Sequence, residues 1–73
     1  MEYRILDKTG DTKVIFDKKV PEEVEAAKAQ FDALIEKGFK AFTVKKNGEP
    51  GKQVKIFDAK AERYIFVPAL VGG

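Results

Sequence analysis

The sequence predicts an α+β domain in which one helix lies across one face of a mixed five-stranded sheet, in the order β-β-α-β-β-β. Three observations predict it. A stripe of apolar residues with helical spacing, 24–35, stands between segments whose apolar residues recur with a period of two. The segment 64–67 reads Tyr-Ile-Phe-Val and is apolar on both faces, as a strand in the middle of a sheet must be. The helix also supplies the long connection that a parallel strand pair needs and a hairpin cannot give.

The first strand, 2–7, places Tyr3 and Ile5 on one side and Arg4 and Leu6 on the other. Residues 7–11 carry turn chemistry, with Gly10 suited to the positive φ of a bulged hairpin loop. A second strand, 12–17, puts Val14 and Phe16 on the side of Tyr3 and Ile5, with Lys13, Ile15 and Asp17 opposite. Pro21 suits the first helical position, and Glu22, Glu23 and Glu25 lie against the positive end of the helix dipole. Val24, Ala27, Phe31 and Leu34 then follow at steps of 3, 4 and 3, with Ile35 widening the stripe; Lys37 and Gly38 end it. A third strand is expected over 39–45, a loop over 46–51 with its Asn-Gly and Pro-Gly pairs, and a fourth strand over 52–57 with Val54 and Ile56 on one side. Residues 58–62 are too few for an independent helix and read as one tight turn capped by Asp58. The last strand ends at Pro68, which has no N–H to donate, so the domain spans 1–68 and 69–73 is a tail.

One helix cannot cover both faces of five strands, so it covers one, and the economical arrangement is a β-grasp with the first and last strands parallel at the centre. A ferredoxin-like domain needs two helices, and a small SH3-type barrel has no place for a helix of this length. Seventy-three residues make one small domain, in which only about 60% of the unfolded chain's surface is buried. At 44% hydrophobic the chain is too apolar for disorder, and its 36% charged residues, both signs interspersed, suit a solvated surface. Without cysteine or histidine it lacks thiol nucleophiles, disulfides and the commonest metal ligands and general base, so neither enzymatic chemistry, a metal site nor a bound cofactor is expected. No apolar run approaches the ~20 residues of a membrane span and the first residues do not resemble a signal peptide, so the expected compartment is the cytoplasm, with no membrane partner. A net charge of +2 is too small for a nucleic-acid footprint. Lys45, Lys46, Lys52 and Lys55 read as solvated edge lysines that discourage strand-to-strand aggregation.

The terminal Gly72-Gly73 pair arises by chance in roughly one chain in 200 at glycine's average usage. With the element order and the length, it carries a resemblance to the ubiquitin-like family, above all to the sulfur carriers of molybdopterin and thiamine synthesis. Gly72 and Gly73 fall on the family's Gly-Gly, Pro68 on the proline with which the sulfur carriers leave the last strand, and Leu70 on an apolar tail position. The resemblance implies that an activating enzyme adenylates the Gly73 carboxylate, which becomes a thiocarboxylate or is passed to a lysine of a target protein. Ala69 and Val71 stand where ubiquitin's tail carries arginines, and Ala69 also replaces the sulfur carriers' second proline. Ubiquitin's own enzymes are therefore not expected to recognise this chain. The other reading is a β-grasp binding or assembly module, cellular or viral, that is never conjugated and whose glycines are a frayed end.

Strict alternation directs Leu6, Ile15, Ile65 and Val67 away from the helix, on three strands that a β-grasp places side by side. An exposed apolar group of that size marks a partner surface, for the activating enzyme or for a second copy of the chain in a homodimer. The aromatic side chains of Tyr3, Phe16, Phe31, Phe42, Tyr64 and Phe66 are expected in the core.

Overall fold

A computed structural model describes residues 1–68. The chain is α+β, with one helix and a mixed five-stranded sheet: β1 (Glu2–Asp7), β2 (Gly10–Ile15), α1 (Pro21–Glu36), β3 (Phe39–Val44), β4 (Pro50–Val54) and β5 (Arg63–Pro68). The strand order is β2-β1-β5-β3-β4. β1 runs parallel to β5 and antiparallel to β2, and β3 runs antiparallel to both β5 and β4. The strand that is apolar on both faces is thus the central one.

Local chemistry sets the element ends. Gly10 (φ +126°) turns the first hairpin, where the Asp7 carboxylate accepts from the Thr9 N–H (3.1 Å), and Gly38 (φ +100°) follows the helix. β2 stops two residues short of the expected end, yet pairing continues: the Phe16 N–H donates to the Met1 carbonyl and the Met1 amino group to the Phe16 carbonyl, each at 2.8 Å. Val20 begins the helix without a side-chain cap; its carbonyl accepts from the Glu23 and Val24 N–H groups, while the Glu23 carboxylate reaches back to the Asp17 N–H (2.8 Å). The helix spends Ala27, Phe31 and Leu34 on the core, the stripe its spacing predicts.

The core lies between that stripe and one face of the sheet. Tyr3, Ile5, Phe16, Ala41, Tyr64 and Phe66 meet the helix there, with Met1, Val14, Ile35, Phe39, Val54 and Phe57 packed around them. Aromatic rings meet edge-on in a continuous set: Tyr3 lies 5.0 Å from Phe16, Phe31 5.1 Å from Tyr64 and 5.5 Å from Phe66. Both buried tyrosines find polar partners. The Tyr3 hydroxyl donates to the Ala27 carbonyl of the helix (2.6 Å), and the Tyr64 hydroxyl accepts from the Asp58 N–H (3.0 Å). Burial raises the pKa of both phenols above the ordinary value of 10; at Tyr64 the hydrogen bond to the Asp58 backbone partly offsets it.

Two expectations need correction. β4 is Pro50–Val54 rather than 52–57. Pro50 is tolerated in this strand because β4 is an edge, where a missing donor leaves no ladder bond unmade. Gly51 fits because any Cβ there would stand 2.6 Å from the Thr43 hydroxyl, which accepts from the Lys52 N–H (2.9 Å). Beyond Val54 the chain turns so that Phe57 meets Phe31 edge-on at 5.8 Å, and Ile56 swings into solvent, 82% exposed, instead of sharing a face with Val54. The second correction is Phe42, which is not a core residue. Ala41 takes the place beneath the helix, and Phe42, half-buried, lies on the other face. The turn after Phe57 is as expected, with the Asp58 carboxylate accepting from the Lys60 N–H (2.9 Å).

Candidate functional site: the outward sheet face

With Tyr3 and Ile5 fixed in the core, Glu2, Arg4 and Leu6 of β1 point away from the helix. Strand pairing carries that direction across the sheet. Arg4 pairs with Lys13 of β2 and Ile65 of β5, Ile65 pairs with Phe42 of β3, and Phe42 with Gln53 of β4. One row of the outward face therefore reads Lys13, Arg4, Ile65, Phe42, Gln53. The neighbouring row sets Val67 opposite Lys40, with Leu6 one residue beyond the Ile5–Phe66 pair.

All four residues expected to form the partner surface lie on this face, but they do not form one exposed group. Ile65 is only 7% exposed although it stands outside the core cluster beneath the helix; the side chains beside it in the sheet are enough to cover it. Leu6 and Val67 are half-buried near the Pro68 end of β5. Ile15 is 67% exposed and pairs with Glu2, whereas Leu6 pairs with Asp11. Four residues of strand, about 13 Å, thus separate Ile15 from the level of Leu6. The patch is Leu6, Ile65 and Val67 with Phe42 added, and Ile15 stands apart at the sheet edge. Sequence reasoning missed Phe42 because β3 is ambiguous: Phe39 and Ala41 alternate with Phe42 and Val44, and both series carry apolar residues.

The rim of the face is polar and mostly basic. Lys13 stands 3.8 Å from the Glu2 carboxylate, while Arg4, Lys40 and Arg63 are exposed. The β3–β4 hairpin exposes Lys45, Lys46, Lys52 and Lys55. The Lys18 ammonium, 2.7 Å away, holds the Glu62 carboxyl below the usual carboxylate range by hydrogen bonding and charge. Among the described residues no group of three or more acidic side chains is placed to hold a metal ion.

Pro68 is the exposed last residue of β5, opposite Phe39. The expected conjugation residues Gly72 and Gly73 and the tail-recognition residue Leu70 lie outside the described residues. No helix among the described residues is long and apolar enough to cross a membrane. Compared with known proteins, the chain matches no family model, no curated protein and no solved structure.

Proposed function

We propose that this chain is a small β-grasp protein of the ubiquitin-like kind, a protein modifier or sulfur carrier activated at its terminal glycine carboxylate by an ATP-dependent enzyme in the cytoplasm. The observation that carries the reading is the central pair. β5 lies between β1, to which it is parallel, and β3, and at Pro68 it leads into the segment that contains Gly72 and Gly73. A strand paired on both sides fixes the point at which the chain leaves the domain, and two residues without Cβ suit entry into a narrow active site.

The chemistry asks little of the carrier. A Gly73 carboxylate oxygen attacks the α-phosphorus of ATP, forming an acyl phosphoanhydride and expelling pyrophosphate. Hydrosulfide or a target lysine amine then attacks the activated carbonyl carbon and expels AMP, leaving a thiocarboxylate or an isopeptide bond and releasing a proton. Nucleotide, magnesium and any thiol belong to the activating enzyme, and no catalytic residue or cofactor is assigned to this chain. The reading requires Gly73 to carry the free carboxylate.

Its test is pyrophosphate release with ATP and the cognate activating enzyme. Deleting Gly73, or extending it by one residue, should abolish release and leave the melting temperature unchanged. Equal release from the deletion variant would end the carrier reading.

The second reading, a β-grasp binding or assembly module that is never conjugated, is favoured by the outward face, where, among the described residues, Phe42, Leu6 and Val67 remain partly exposed with no layer over them. Both readings dock a partner there, either the activating enzyme or a second copy of the chain. They differ in whether Gly73 matters.

A further inference from the structure

At the end of the outward face remote from Pro68, Arg4, Arg63, Glu2, Ile65, Val44 and Gly48 line a depression of about 190 Å³. Its lining mixes apolar residues, Ile65, Val44 and Tyr64, with polar ones, and its positive residues are the two arginines. Among the described residues neither Arg4 nor Arg63 takes part in an ion pair or a side-chain hydrogen bond. The one acid in the wall, Glu2, sits 3.8 Å from Lys13, which lies beside Arg4 on β2. The lining therefore carries one net positive charge, and two with Lys13.

We propose that this depression binds a carboxylate side chain from an acidic and apolar segment of a partner protein. Three features select that class. A guanidinium presents a planar fork of donors that fits a carboxylate with two parallel hydrogen bonds. The volume falls below the roughly 300–1,000 Å³ of pockets that enclose whole ligands, so it suits one side chain rather than a cofactor. Ile65 and Val44 in the lining receive the methylenes of a glutamate or a neighbouring leucine, a contact that inorganic phosphate cannot make. This inference deepens the reading of the outward face as a docking surface and does not depend on the fate of Gly73.

The test is an NMR titration of the isotopically labelled chain with a blocked peptide of alternating glutamate and leucine. The same peptide with glutamine for glutamate, and inorganic phosphate, serve as comparisons. Saturable shifts are expected at the Arg4 and Arg63 side-chain N–H groups and at the Gly48 amide, with the glutamine peptide giving none. Arg63→Lys keeps the charge but loses the fork and should weaken binding several-fold; the Arg4→Gln/Arg63→Gln double variant should weaken it by about tenfold or more. Both residues are exposed, so the spectrum of the rest of the domain should be unchanged, and Arg63→Lys alone decides the matter if the double variant does not fold. Absence of saturable shifts, equal binding by the glutamine peptide, or an Arg63→Lys affinity equal to the parent's overturns the proposal. Phosphate binding as tight as the acidic peptide's would overturn the carboxylate assignment. Deleting Gly73 should abolish pyrophosphate release and leave acidic-peptide binding unchanged, which separates this inference from the carrier reading.

Discussion

Tyr3→Phe removes one oxygen atom from the centre of the molecule and should produce a stability difference whose sign depends on pH. Tyr3 is fully buried, and its hydroxyl donates to the Ala27 carbonyl at 2.6 Å. Near neutral pH the loss of that hydrogen bond costs about 0.5–1.5 kcal/mol. Burial holds the folded-state pKa of Tyr3 well above its ordinary value of 10, so the folded chain keeps the proton while the unfolded chain releases it. Below pH 10 the phenol is neutral in both states and adds no pH dependence. Above pH 10 the unfolded state binds fewer protons, and stability falls as pH rises, by about 1.4 kcal/mol per pH unit for this group. At pH 11 the parent has lost about 1.4 kcal/mol through Tyr3, a loss the phenylalanine variant does not suffer. The two stability curves should therefore converge and cross between about pH 10 and 11. The remaining side chains are the same in both proteins, so the difference between the two curves reports Tyr3. Urea denaturation at intervals from pH 8 to 11 measures it, and a difference that stays constant over that range would show that the hydroxyl is not shut beneath the helix.

Phe31 touches Phe57, Tyr64 and Phe66, so Phe31→Ala should cost about 3–5 kcal/mol, against a total of roughly 4–11 kcal/mol for a chain of this size. A denaturation midpoint within about 1 kcal/mol of the parent's would mean that the helix does not pack on the β5 aromatics. On the outward face Val67→Lys is the cleaner probe of docking, because Ile65 is too buried for lysine without risk to folding. On the proposed carrier reading it should raise the concentration of the chain giving half-maximal pyrophosphate release by about tenfold, and it should lower stability by less than about 1 kcal/mol. An unchanged concentration dependence would place the enzyme's dock elsewhere.

The helix was legible because several independent signals coincide: the Pro21 entry, the 3-4-3 steps ending at Leu34, and Gly38 after the last turn. The β1–β2 hairpin and β5 were legible for the same reason, with period and turn chemistry in agreement. β4 was not. An edge strand has little to bury, so its letters, Pro-Gly-Lys-Gln-Val, look like loop, while the apolar Ile56 beyond it looks like strand. The position of Phe57 against Phe31 decides the matter, and that is a tertiary contact no local pattern contains. At the site, period two correctly directs Leu6, Ile15, Ile65 and Val67 outward. Whether they touch depends on register, which sets Ile15 against Glu2 and away from Leu6. The phase of β3, which brings Phe42 beside Ile65, is likewise a property of the pairing.

Those pairings also limit how the outward face can bind. Ile65 is already covered by its neighbours in the sheet, so a partner gains little from it directly. The apolar surface left to remove from water is the partly exposed area of Leu6, Phe42 and Val67. At roughly 25 cal/mol per Å², three half-buried side chains yield a few kcal/mol, which the entropic cost of association largely consumes. Affinity on this face must therefore come from combining the apolar patch with the basic residues around it. Exposed charges act mainly through electrostatic steering and lose their force as salt rises. An acidic partner would consequently associate fast and separate readily, as the proposed carrier role requires.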